Sequence, residues 1–267
     1  MDKYLQVFKI SLQQEFVYRV NFVMWRIRNV MQILLVYFLW DAVFSDPDRI
    51  VFGYDRAKIL TYVLGLVFVK AFVLSARAAD VAGEVSQGDL SNYLVKPVNY
   101  FKYWLVRDIS SKVLNLTFAL IEMFFLFLLL KPSFYIQTNI LSLLGFVVSV
   151  VLAMFIYFTL IFINSSVSFW IPEAAWGVHF LVGVVIVEFL SGALFPLDLL
   201  PSTVQTALNL TPFPYLIFFP LQVYLGNVTG FAMIRGLLVC GVWVVLLFYV
   251  MSYVWRRGLK VYQAYGR

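Results

Sequence analysis

The 267-residue chain has a single cysteine, Cys240, and a single histidine, His179. One cysteine excludes an internal disulfide. One His and one Cys leave no cluster with the spacing of a zinc site, and no H-E-x-x-H occurs. The phosphate loop G-x-x-x-x-G-K-[ST] is missing, so no Walker-type ATP site is expected in this chain. No G-x-S-x-G elbow occurs either, and a hydrolase or metal enzyme is not expected. Charge is scarce as well. Asp, Glu, Lys and Arg make up 13% of the residues, against about 25% in a soluble domain. No apolar run followed by a small-residue cleavage site opens the chain, so the first span is expected to direct insertion itself.

What remains is apolar: 63% hydrophobic residues and a mean hydropathy of +0.89. Several continuous runs exceed the roughly 18 residues that mark a spanning helix. They lack the alternation of a membrane β-barrel. The expected fold class is an all-α polytopic membrane protein, one transmembrane domain over 1–267. Six transmembrane helices are placed at 22–44, 58–79, 106–130, 139–163, 176–196 and 230–254. Residues 2–20 are read as an N-terminal amphipathic interfacial helix, because Leu5, Phe8, Leu12 and Phe16 share one face. A polar-flanked extension of the first span is the plainer alternative. Lys131–Pro132 and the stretch from Asn164 to Glu173 read as short loops. Trp25, Trp104, Trp170, Trp176 and Trp255 fall where an interfacial aromatic belt is expected.

Basic residues orient the chain. Lys3, Lys9, Arg19, Arg26, Arg28, Arg77, Lys96, Lys102, Arg107, Lys112, Arg256, Arg257, Lys260 and Arg267 gather on one side. Arg49, Arg56, Lys58, Lys131 and Arg235 lie on the other. The first side is predicted cytoplasmic and holds both termini of a multi-pass cell-membrane protein. The net charge of +6 is explained by this topology and calls for no nucleic acid.

The long polar interval at 80–103 falls on that cytoplasmic side. From Glu84 to Pro97, Leu90, Leu94 and Val98 recur every four residues and give one narrow apolar face. Glu84 and Asp89 precede Lys96 and Lys102, matching the helix dipole. Gly83 and Pro97 supply boundaries. One short amphipathic helix is predicted, which either docks on a soluble partner or lies on lipid headgroups.

Between the last two spans, 194–225 is apolar but broken by Pro196, Pro201, Pro212, Pro214 and Pro220. No piece is long enough to cross about 30 Å of hydrocarbon. A re-entrant helical hairpin on the outer face is predicted, with a buried outer loop as the alternative. Within the spans, Glu122 and Glu188 are polar candidates, either for a substrate path or subunit interface or for packing between helices. Lys70 lies near a span end and can snorkel. His179 reads as structural.

The loop Glu84-x-x-x-Gly88-x-Leu90-x-x-x-Leu94-x-Lys96-Pro97 is followed by Ser191-Gly-Ala-Leu-Phe-Pro-Leu-Asp-Leu-Leu-Pro201 and Asn209-Leu-Thr-Pro-Phe-Pro-Tyr215. In this order the chain resembles the permease subunit of ABC-2 type transporters, in the subgroup with a Gly-x-Leu…Lys-Pro loop between spans 2 and 3. The resemblance implies that Glu84, Gly88, Asp89, Leu90, Leu94, Lys96 and Pro97 form a coupling helix for a cytoplasmic ABC ATPase subunit. ATP and Mg would then be held by that ATPase and no cofactor by this chain. It also implies that Gly192, Pro196, Pro201, Pro212 and Tyr215 belong to outer-face helices capping a path. A second permease is implied, related in a heterodimer or identical in a homodimer. The implied activity is export of an amphiphilic or hydrophobic compound, lipid, glycan or peptide. A non-transporting scaffold or immunity-type membrane protein is the alternative function, and a lipid-modifying membrane enzyme a further one.

Overall fold

The computed structural model describes residues 2–17, 19–46 and 50–262, the side chains of residues 2, 16, 17, 19–22 and 175 excepted. Phe16 of the predicted amphipathic face, and Arg19, Arg49 and Arg267 of the charge count, lie outside the described side chains. The described residues are helical, with no strand among them beyond an isolated bridge between Val51 and Tyr54.

Helix α1, Asp2–Val17, is followed by α2, Arg19–Val43. Helix α3, Arg56–Val73, begins where the Asp55 carboxylate accepts from Lys58 N at 2.7 Å. A 3-10 turn, Arg77–Asp80, leads into α4, Val81–Ser86. A single turn, α5, Ser91–Leu94, precedes α6, Tyr100–Leu130. Asn99 caps α6, its side chain accepting from Lys102 N at 3.0 Å. That cap starts the helix six residues before the predicted boundary. Lys131 ends it in a left-handed conformation, and Pro132 cannot continue a helix. Helix α7, Ile140–Ser165, is capped by Asn139. It runs into a largely buried 3-10 turn, Ser166–Phe169, within the stretch read as a short loop. Helix α8 covers Pro172–Leu190 and contains a π-helical stretch, His179–Ile186. Helices α9, Ser202–Asn209, and α10, Phe218–Tyr224, are short. Helix α11, Gly230–Val261, closes the described chain.

Four helices, α6, α7, α8 and α11, are long and apolar enough to cross a bilayer. A fifth span results if α3 and the Arg77–Ser86 run, bent by 46° at their break, count as one. Helix α2 is long enough at 25 residues, but Arg26, Arg28, Asn29 and Gln32 dilute its apolar run. The predicted fifth span ended at Pro196; the helix stops at Leu190. Gly192, at φ +85°, takes a left-handed conformation that ordinary side chains disfavour.

Helix α3 is the central element. Ile59, Leu60, Tyr62, Val63, Leu64, Leu66 and Val67 are all buried. It packs on α2, α6 and α7, while α7 packs along α11 and α10. Helix α1 lies on α6 and buries Ser11 and Glu15 there, leaving Leu5 and Ile10 exposed. Phe8 and Leu12 of the predicted apolar face are half-buried, and Lys3, Gln6, Lys9, Gln13 and Gln14 are exposed. Two members of the predicted aromatic belt are core residues: Trp104 and Trp255 are buried, while Trp25, Trp170 and Trp176 are exposed. The reason is a cluster in which Tyr100 stacks on Trp255 at 4.9 Å and meets Trp104 and Phe162 edge-on.

Candidate functional site

Lys3 of α1 and Tyr262, which follows α11, both meet the 80–103 segment at one end of the bundle. Lys3 Nζ donates to the Pro97 carbonyl at 3.1 Å, and Tyr262 Oη donates to the Gly88 carbonyl at 2.7 Å. This is the segment side; the region between α8 and α11 lies on the far side.

The segment is two helical pieces rather than the one predicted helix. Gly88 sits at φ +84° between them, and Gly83, a predicted boundary, lies inside α4. The break turns the expected apolar face in two directions. Leu90 is wholly buried in the chain's own core, whereas Leu94 is half exposed and Val95 is 84% exposed. Asp89, Lys96 and Pro97 are exposed beside them. Glu84 turns inward, accepting from Tyr100 Oη at 2.6 Å with Arg107 Nη1 3.9 Å away. The tip therefore projects, and its base is tied to α6 through Tyr100 and to α11 through Tyr262. Tyr93 adds ring contacts to Tyr100 and Tyr103.

Burial, more than any other influence, pushes the Glu84 carboxyl above its ordinary value of 4.5; the Tyr100 hydroxyl opposes the shift. The folded chain thus holds this proton more tightly than the unfolded chain. Glu84 favours the fold most below pH 4.5, and that contribution is lost as pH rises through the raised value. Glu84→Gln keeps an acceptor for Tyr100 and removes the charge. Its apparent melting temperature should gain on that of the unsubstituted protein as pH rises from 4.5 to 7.5. A difference that does not change with pH would count against this account.

Beyond the segment, a polar cavity of about 470 Å³ opens between α2, α3, α6 and α8. Both intramembrane carboxylate candidates are paired near it. Glu122 of α6 takes Arg26 of α2 in a two-bond fork, one arm 2.6 Å from Nε to Oε1. Glu188 of α8 takes Lys70 of α3 at 3.0 Å and Gln32 of α2 at 3.5 Å. Lys70 therefore turns into the protein rather than snorkelling. Arg77 bridges Glu15 of α1, Nε to Oε1 at 2.7 Å, and approaches Asp80 at 3.5 Å. His179 lines the same cavity.

A further ion pair, Asp108 with Lys112, lies within α6 itself. Asp108 and Lys112 are fully buried, with Lys112 Nζ 3.1 Å from Asp108 Oδ2 in an ion pair off the hydrogen-bond line. Lys112 donates instead to the Ser75 carbonyl at 2.6 Å, and Asp108 Oδ1 accepts from Arg77 N at 2.9 Å. Two backbone groups freed where α3 ends are thus satisfied from α6. The signal in the sequence is the (i, i+4) spacing of opposite charges, and it competes with a flank of basic residues that places Lys112 at the cytoplasmic side.

On the far side, Gly192 is fixed by close approach as well as by its φ. A Cβ there would lie 2.7 Å from Tyr62 Oη and 2.9 Å from Phe218 Cβ. Tyr62 Oη donates to the Gly192 carbonyl at 2.6 Å, and Phe218 N donates to the Ser191 carbonyl at 2.9 Å. Pro196 and Pro201 precede the turn Leu197–Leu199 and α9, and Pro212 precedes the turn Phe213–Tyr215. Tyr215 Oη donates to the Asn209 carbonyl at 3.2 Å. Tyr54 Oη donates to Asp198 at 2.8 Å, and Gln222 reaches both. Helix α10 is buried against α7, while α9 is largely exposed.

Among the described residues, no group of three or more His, Cys, Asp or Glu is placed to hold a metal ion. Apolar spanning helices, a projecting segment tied to several of them and charged pairs joining one span to another define a multi-pass membrane protein. The family model described as ABC-2 family transporter protein matches residues 30–266, and the chain belongs to that family. No curated protein matches it.

Proposed function

We propose that this chain is the permease subunit of an ATP-driven ABC-2 exporter, powered by a separate cytoplasmic ATPase and paired with a second permease. The exposed apolar tip at Leu94 and Val95 carries the reading. Such a tip on a polar segment favours docking, and its base is bonded to two spans, so a push there reaches α6 and α11. In this reading Gly88 sets the bend, Leu90 anchors the segment, and Asp89, Lys96 and Pro97 flank the contact.

Six spans follow in the same reading. Arg26 is matched by Glu122, which offsets much of the cost of carrying it in α2. Helix α3 is covered by protein rather than lipid. The segment side is then cytoplasmic, and α9 and α10 form the two arms of an outer hairpin over the far end of the path. ATP binding would draw the segments of two permeases together and tilt their spans, a rigid-body change between two packings. An amphiphilic or hydrophobic compound, lipid, glycan or peptide is the cargo class.

The test is co-expression with an ABC ATPase, taken from a gene adjacent to that of this chain where one is found. A stable complex that drives ATP-dependent uptake into inverted vesicles is expected. A chain that purifies alone and moves nothing would support a scaffold. Turnover of lipid by the chain alone would support an enzyme. Either result would overturn the proposal.

A further inference from the structure

The polar cavity is lined by three carboxylates, and each has a cationic partner. Glu15 receives Arg77 on both oxygens, Asp80 lies 3.5 Å from Arg77, and Glu188 receives Lys70 on one oxygen and Gln32 on the other. The cations are less fully used. Lys70 has three N–H donors and makes one hydrogen bond. Arg28 has no carboxylate partner among the described residues, and its guanidinium lies 4.8 Å from the Trp25 ring centre. His179 Nδ1 is buried with no hydrogen-bond partner. Arg28, Lys70 and His179 all line the one space. The ammonium of Lys70 and the guanidinium of Arg28 suit a group with several acceptor oxygens and negative charge, and a neutral imidazole beside them can add one further hydrogen bond.

The cavity also has an apolar flank. Helix α2 packs on α3, and Gln32 bridges it to Glu188 of α8. Met24 and Trp25 on α2, and Phe180 and Leu181 on α8, are exposed beside the wall residues. In a bilayer these faces meet hydrocarbon.

The geometry points to a binding site for the oxyanion headgroup of an amphiphile, a phosphate or carboxylate, seated at Arg28, Lys70 and His179 with its chain leaving between α2 and α8. This names a cargo class for the proposed exporter and rests on that reading for its purpose, but binding itself needs no ATPase. Failure of the co-purification above would therefore leave the binding measurement readable.

The purified chain in detergent is titrated with dioctanoyl phosphatidate, dioctanoylglycerol and inorganic phosphate, following tryptophan fluorescence. Trp25→Phe identifies the signal that arises at the cavity. Phosphatidate is expected to saturate and dioctanoylglycerol to bind at least tenfold more weakly. Arg28→Gln should weaken phosphatidate about tenfold, as loss of one charge-assisted hydrogen bond does. Arg28 is exposed and carries no ion pair, so the variant should elute as the unsubstituted protein does. His179→Leu should weaken binding and His179→Gln should restore part of it. Equal binding of phosphatidate and dioctanoylglycerol, or unchanged binding in Arg28→Gln, overturns the site. Inorganic phosphate binding as tightly as phosphatidate, with the same loss in Arg28→Gln, supports the oxyanion seat and overturns the hydrocarbon exit.

Discussion

Lys112→Ala is expected to destabilise the chain by about 3–5 kcal/mol, the usual cost of leaving one member of a buried ion pair without the other. Lys112 and Asp108 are 1% and 0% exposed. The truncation strands the Asp108 carboxylate and frees the Ser75 carbonyl that Lys112 holds at 2.6 Å. Both losses fall at the break between α3 and the 3-10 turn Arg77–Asp80, so the damage should spread to the adjoining 80–103 segment. The readout is the apparent melting temperature of the solubilised protein, with gel filtration reporting aggregation. Replacing the pair together, Asp108→Leu with Lys112→Met, removes the stranded charge and should recover much of the loss. It would not restore the bonds to Ser75 O and Arg77 N, so recovery should be partial. A single substitution that melts with the unsubstituted protein would mean that water or a rearranged Arg77 already satisfies Asp108.

The same residues show where sequence reading stops. The class of fold was legible because apolar runs longer than a bilayer is thick have few other uses. Glu122 and Glu188 could be picked out as intramembrane carboxylates, but their partners Arg26 and Lys70 lie far away in the chain, and spacing does not disclose such pairs. The neighbours of Lys112 in sequence belong to a basic flank, while its neighbours in space belong to the core. Trp104 and Trp255 carry the same ambiguity: an aromatic near a span end suits either a headgroup belt or a ring cluster. Leu90 and Leu94 differ in kind. Their (i, i+4) spacing puts them on one face only if the helix is continuous, and the left-handed Gly88 shows that it is not. A glycine two residues before a leucine was the available sign of a bend.

That bend decides how the proposed docking must be tested. Leu94→Asp combined with Val95→Asp is expected to abolish co-purification of the proposed ATPase and leave the chain inserted and folded. Both side chains are exposed, Leu94 at 51% and Val95 at 84%, and substitutions at such positions usually change stability by no more than about 0.5 kcal/mol. An apolar contact at the centre of an interface costs about 2 kcal/mol or more when lost. Two together, each replaced by a charge that must be desolvated, exceed what a transient complex tolerates. Leu90 serves as the contrast. It is 0% exposed, so Leu90→Ala should cost about 2–5 kcal/mol of stability through the cavity it leaves. Any loss of ATPase in that variant would follow from damage to the fold. The informative pattern is therefore a separation: the tip variant loses its partner at an unchanged melting temperature, and the anchor variant melts early. If the tip variant retained the ATPase in full, docking would have to run through another part of the segment side, and Leu94 and Val95 would be no more than a lipid-facing edge.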